Sequence, residues 1–209
     1  MKKTNENLIL LNCIFVICLV VANIVACKVV TFWFFTVPAA IVAYPITYLV
    51  TDIIGEIWGK EQANKTVKIG VICQIISIVL IGLAILLPVA TFADNQDMFK
   101  AILGNSFRVV IASLVGYLAS QSWDVWVFHK IRNWYIKKNG STKGGKWIWN
   151  NVGTMTAQII DTAIFITIAF YGVVPNIFNM IISQYVIKFI FAAMDTPFFY
   201  YFTRNESGR

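Results

Sequence analysis

Hydrophobic residues along this chain gather into six runs, at residues 8–30, 37–57, 66–89, 107–127, 151–171 and 179–202, separated by polar or charged connections. Each is close to the roughly 20 residues a helix needs to cross the hydrocarbon core of a bilayer. The pattern therefore predicts an all-α integral membrane protein with six transmembrane helices in a single domain over residues 1–209. Within four of the runs polar residues return at helical spacing. The second run carries Tyr44, Tyr48, Asp52 and Glu56, and the fourth carries Tyr117, Gln121 and Asp124. The fifth carries Asn151, Thr154, Gln158 and Asp161, and the sixth Gln184, Lys188 and Asp195. Residues three or four apart share one face of a helix, and a polar face cannot be left in hydrocarbon. These stripes are expected to converge on the bundle interior. The first run adds Asn23, beside the small-x-x-x-small pair Ala22 and Ala26, which permits close approach of another helix.

Composition strengthens this picture. Hydrophobic residues make up 58% of the chain, charged residues 13%, and the mean hydropathy is +0.72, well outside the range of a soluble domain. Seven Trp and sixteen Phe suit a protein anchored at two interfaces. Lys2 and Lys3 precede an apolar run too long for a signal peptide, so the first helix is expected to be retained. The four cysteines, Cys13, Cys18, Cys27 and Cys73, lie inside apolar runs without metal-ligand spacing. They read as packed small hydrophobes, and no metal or cofactor is expected.

The net charge of +7 changes meaning once its positions are considered. Thirteen of the 17 basic residues lie at the two termini, at Lys60, Lys65 and Lys68, and between residues 129 and 150; the other three connections hold only Lys100. That alternation is a topology signal, placing both termini in the cytoplasm, and gives no reason to expect nucleic-acid binding. The segment 129–150, with its STKGGK core, reads as a flexible cytoplasmic loop.

Inside the predicted spans remain Lys28, Arg108 and Lys188 against Asp52, Glu56, Asp124, Asp161 and Asp195. A carboxylate near the centre of a membrane helix costs about 2.5 to 3.5 kcal/mol on insertion scales, so each needs a partner, a water-filled cavity or a ligand. One reading is internal ion pairing, for instance Lys188 with Asp161 or Asp195. Another is a binding site, with Lys28, Arg108 and Glu56 as gate or ion-pair residues nearer the surfaces. The fourth and fifth runs echo one another as Q-x-x-D-x-x-x-F (Gln121 to Phe128, Gln158 to Phe165), which would set amide and carboxylate groups on facing antiparallel helices. Pro45 and Pro197 are candidate bending points. Gly55 and Gly59 form a G-x-x-x-G suited to a homodimer or to internal packing.

Surplus carboxylates with amides, a lysine and aromatic rings suit a planar nitrogenous ligand. A carboxylate accepts two parallel N–H bonds from a guanine-like edge, an amide or ammonium donates to a ring carbonyl, and an aromatic ring stacks on the face. No catalytic signature of a protease, hydrolase or P-loop enzyme is present, and the single histidine, His129, sits at a helix end beside the basic segment. An enzyme is not expected. A channel is disfavoured because the charges do not repeat as rings of one sign.

Four segments, YPITYLVTDIIGEIWGKEQA (44–63), RVVIASLVGYLASQSWDVWVFHKIR (108–132), WNNVGTMTAQIIDTAIF (149–165) and KFIFAAMDTPFFY (188–200), together resemble the bacterial queuosine precursor transporters, also called the VUT family. The resemblance spans nearly the whole chain. It implies uptake across the bacterial cytoplasmic membrane of queuine, 7-cyano-7-deazaguanine or 7-aminomethyl-7-deazaguanine, which supply tRNA modification. It also implies a fold similar to the S-components of energy-coupling-factor transporters. On that basis Asp52, Asp161 and Asp195, with Asp124 beside them, are candidates to hold the base edge or an exocyclic amine. Asn23, Gln121, Gln158 and Lys188 are candidate donors, and Tyr48 or Trp123 could stack. A solitary carrier, with protons as the candidate coupling ion, is the leading expectation, since carriers place their sites near the midplane. The alternative is a binding subunit that needs a separate ATPase module, with Ala22 and Ala26 as its candidate docking surface.

Overall fold

The computed structural model describes residues 3–90, 95–139 and 146–203; within the helices, the side chains at 124, 125, 128, 132, 139, 146–151, 154 and 191–203 lie outside that description. The chain is mostly helical. It divides into two compact units, Met1–Val110 with Val186–Arg209, and Ile111–Tyr185.

In the first unit α1 spans Asn5–Val25, opened by Thr4, whose hydroxyl accepts the Asn7 N–H at 3.3 Å. It ends five residues before the apolar run does. The following stretch is β-branched and aromatic, and it forms an antiparallel hairpin of β1 (Val29–Phe32) and β2 (Phe35–Pro38) in place of a continued helix. Thr31 and Thr36 face each other across it, with hydroxyls 3.3 Å apart. The two-residue turn is Trp33–Phe34, and Trp33 takes φ 54, a left-handed conformation unusual for so bulky a residue. A short 3-10 helix, Ala39–Val42, leads into α2, Tyr44–Trp58. The second predicted span is thus corrected: its first seven residues are strand, 3-10 helix and junction, and the α-helix is 15 residues, about 22 Å at 1.5 Å per residue. Pro45 falls in the first turn of α2, where its missing N–H costs nothing, so it is a helix start and not a bend.

The expected loop between the second and third helices is a single residue. Gly59 adopts φ 92, ψ 161, a region open almost only to glycine, and α3 begins at Lys60 and runs to Leu86. Its carbonyl accepts the N–H groups of Gln62 and Ala63, which starts the new helix at once. Lys60, Lys65 and Lys68 therefore sit on the first turns of α3, with Lys65 in an exposed 3.0 Å pair with Glu61. The G-x-x-x-G is accounted for internally: Gly59 makes the turn, and a methyl group at Gly55 would lie 3.8 Å from Ala63 Cβ.

Leu11 and Phe15 of α1 and Val50, Ile53, Ile54 and Ile57 of α2 form the core of this unit, flanked by Ala63 and Val67 of α3. Gly70 lets α1 press onto α3, since a Cβ there would come within 2.7 Å of both Leu19 and Phe15. Ala22 and Ala26 are 6% and 0% exposed. They are spent on packing within the unit and offer no surface to a docking partner.

Helix α4 spans Gln96–Asn139, 44 residues, far longer than the predicted 107–127. Much of the supposed cytoplasmic loop is therefore helix, and α5 (Lys146–Phe170) begins at its far side. The remainder of that loop, 140–145, lies outside the described residues. In the second unit α4 and α5 are antiparallel, because Gly116 lies against Asp161 while Trp123 meets Thr156. Gly172, at φ 80, helps turn the chain into α6 (Ile177–Thr203), where Asn176 Oδ1 accepts the Asn179 N–H at 3.0 Å.

Among the described residues, three helices, Asn5–Val25, Lys60–Leu86 and Gln96–Trp123, are long and apolar enough to cross a membrane, and Met155–Phe170 and Ile177–Ile190 are shorter apolar stretches. Large aliphatic side chains along α3, including Ile72, Ile76, Val79, Leu80 and Leu83, are exposed. An apolar surface of that extent is compatible with lipid and not with water.

Candidate functional site

The stripe on α2 forms as its spacing predicts. Thr47, Val50, Ile53, Ile54 and Ile57 are the buried side of the helix. With 3.6 residues per turn, Tyr44, Tyr48, Asp52 and Glu56 fall on the opposite side, turned away from the α1–α3 core. Tyr44 and Tyr48 are half-buried and lie side by side, ring centroids 6.3 Å apart. Lys188 of α6 places its Nζ 5.8 Å from the Tyr44 centroid, a cation over an aromatic face. Asp52 and Glu56 are exposed. Asp52 thus stands one turn beyond Tyr48 on a wall that begins with two rings and a cation.

Helical threonines steady this wall. Thr47 Oγ1 donates to the Tyr44 carbonyl at 2.8 Å, and Thr51 Oγ1 to the carbonyls of Tyr48 and Thr47 at 2.8 and 3.1 Å. Such back-bonding satisfies hydroxyls inside an apolar helix and tends to bend it. Asn23 of α1 is buried in the same unit at 9% exposure, and Arg108 is half-buried. Lys28 departs from expectation. It is exposed in the link between α1 and β1, where its carbonyl accepts the Ala39 N–H at 2.7 Å, and it is not an intrahelical charge.

The second unit holds the other group of expected residues. Asp161 is half-buried against the backbone of α4 at Gly116: a methyl group there would lie 3.1 Å from Asp161 Oδ1 and 3.2 Å from its carbonyl oxygen. A Cβ there would crowd both the carboxylate and the α5 backbone, so the glycine eases the approach of the two helices at this level. The antiparallel register sets Gln121 roughly level with Gln158, the former exposed and the latter half-buried. Asp161 itself is level with the turn around Gly116, more than a helical turn nearer the N-terminal end of α4 than Gln121. Trp123 uses its indole N–H on Thr156 Oγ1 at 3.1 Å and packs its ring 5.2 Å from that of Trp126. The side chains of Asp124, Asp195 and Pro197 lie outside the described residues.

Several buried polar groups were not singled out from the sequence: Thr66 and Gln74 on α3, Ser106 on α4, Thr162 on α5 and Ser183 on α6; Gln184 of the sixth polar stripe is buried as well. Gln74 had a legible signal, an amide alone in the centre of an otherwise apolar run. Among the described residues, no group of His, Cys, Asp and Glu is placed to hold a metal ion.

Chemically, α2 and Lys188 present aromatic faces, a cation and a carboxylate acceptor in one unit, while α4 and α5 present amides and a seated carboxylate in the other. The sequence matches the family described as "Putative vitamin uptake transporter" over residues 38–202. A Bacillus subtilis protein named "Probable queuosine precursor transporter" is 29% identical over 184 residues, covering 87% of this chain and 78% of the relative. A Haemophilus influenzae protein of the same name is 27% identical over 137 residues, covering 61% of this chain and 49% of the relative. No solved structure is significantly similar to the chain.

Proposed function

The chain belongs to the vitamin uptake transporter family, and from that membership we propose that it imports 7-deazaguanine precursors of queuosine across the cytoplasmic membrane. The names of its two relatives support the substrate class. The observation that carries the reading is the α2 wall, with Tyr44, Tyr48 and Asp52 facing away from the hydrophobic core and Lys188 above the first ring. A flat base would stack along the rings while its amine and ring N–H groups donate to a carboxylate. Asp161, Gln158 and Gln121, with Asn23, Asp124 and Asp195, are the further polar groups we assign to the site.

In this reading the protein works alone as a secondary carrier, with six crossings, both termini inside, and an architecture like that of energy-coupling-factor S-components. The 3-10 helix and α2 together supply about 30 Å and serve as the second crossing. Without Lys28, the predicted spans keep Arg108 and Lys188 against five acids. That imbalance suits proton coupling, and the aminomethyl base would also bring a compensating cation. Ala22 and Ala26 are buried within their unit, which supports the carrier reading over a subunit that docks an ATPase module on them.

Direct binding to the purified protein of queuine, the cyano and aminomethyl bases, and guanine tests the substrate class. At least one deazapurine is expected to bind more tightly than guanine. Failure of all three would overturn the reading.

A further inference from the structure

Beyond its apolar portion, α4 continues as helix to Asn139 and carries Trp126, Lys130, Trp134 and Lys138 at a strict four-residue interval. Lys130 Nζ stands 4.3 Å from the centroid of Trp126, and Lys138 Nζ stands 5.2 Å from that of Trp134. The two indoles are nevertheless 51% and 57% exposed, and both lysines, with Lys137, are exposed too. The ladder is tied to its neighbour helix through Trp123, which packs on Trp126 and donates to Thr156. Exposed rings, each under a cation, on the stretch that follows a membrane span are costly in water and need an occupant that is both apolar and anionic.

We propose that this Trp–Lys ladder binds the headgroups of anionic phospholipids. Three physical facts select lipid as the occupant. Side chains on a helix lean toward its N-terminus, so every lysine of the ladder leans back toward the apolar portion of α4, over the tryptophan one turn earlier. Indole prefers the headgroup level, where its ring meets acyl carbon and its N–H meets phosphate or water. Basic residues clustered directly outside a membrane helix are drawn to anionic headgroups. Trp126 and Lys130 are the near tier of the ladder, and Trp134 and Lys138 the outer tier, eight residues or about 12 Å further along the helix. The inference is independent of which substrate is carried.

The test uses the full-length protein in phosphatidylcholine vesicles and compares quenching of tryptophan fluorescence by brominated phosphatidylglycerol with quenching by brominated phosphatidylcholine. Phosphatidylglycerol is expected to be preferred at low salt, with the preference falling as salt is raised. Lys130→Gln together with Lys138→Gln should lower it by about fivefold per lysine. The corresponding Lys→Arg pair should keep it, and Lys65→Gln, on the exposed pair with Glu61, should leave it unchanged. Equal quenching by the two lipids overturns the proposal, as does a preference that survives loss of both lysines. Lysine-dependent binding of single-stranded RNA without any lipid preference would also overturn it, assigning the ladder to nucleic acid.

Discussion

Helices α2 and α3 are joined by one residue, yet they use their apolar side chains in opposite ways. In α2 the aliphatic residues Val50, Ile53, Ile54 and Ile57 are buried against neighbouring helices, and the outward face carries Tyr44, Tyr48, Asp52 and Glu56. In α3 the outward face is aliphatic, and only Thr66, Gly70 and Gln74 are buried. A soluble protein would treat α2 as a normal amphipathic helix and could not tolerate α3. In a membrane the logic is reversed: α3 is the ordinary lipid-facing element, and α2 is the exception that needs a partner, water or a ligand on its outer side.

If that contrast is sound, the same chemical change should have opposite effects on the two helices. The largest effect is expected for Ile76→Asp on the exposed side of α3. A carboxylate there meets lipid, should cost about 2.5 to 3.5 kcal/mol, and should show as poor insertion or a sharp loss of thermal stability in detergent. A variant of normal stability would mean that this face of α3 is wet. Removing the charge from α2 should act on ligand and not on fold. Asp52→Asn is expected to weaken deazapurine binding by about 1.5 to 3 kcal/mol, read by calorimetry, with little change in melting temperature. Unchanged affinity would remove Asp52 from the site. The smallest and broadest effect should come from the joint between the helices. Gly59→Ala forces a Cβ into a glycine-only conformation and should lower stability by about 1 to 3 kcal/mol while leaving the affinity of the folded fraction intact.

The sequence revealed this contrast only in part. Hydropathy located α3, α5 and α6 to within a few residues, because lipid-facing helices announce themselves by continuous apolarity. The stripe on α2 was legible because Tyr44, Tyr48, Asp52 and Glu56 recur every fourth residue within an apolar run long enough to be a spanning helix, which puts them on one face. The hairpin at 29–38 was not, because Val29, Val30, Phe32 and Phe35 are as apolar as a helix end, and a short apolar run does not disclose its period. Nor was the reach of α4 to Asn139: outside the bilayer a helix is free to be charged, so a hydropathy pattern ends where the lipid does, not where the helix does. The candidate site was legible as a set of residue types. Its geometry was not, as Lys28 shows by leaving the helix and Gly116 by making room for Asp161.

The one-residue turn at Gly59 has a consequence for biosynthesis. Under the proposed six-crossing topology, α2 and α3, with no linker between them, would enter a nascent membrane together as a helical hairpin. Aliphatic residues near a bilayer centre favour insertion by about 0.3 to 0.6 kcal/mol each, so roughly four to twelve of them offset one carboxylate at about 2.5 to 3.5 kcal/mol. The short α2 has few to spare once Asp52 and Glu56 are counted, whereas α3 is rich in them. The lipid-facing helix is thus the chaperone of its polar neighbour, drawing the acidic wall into the membrane before any ligand exists to fill it.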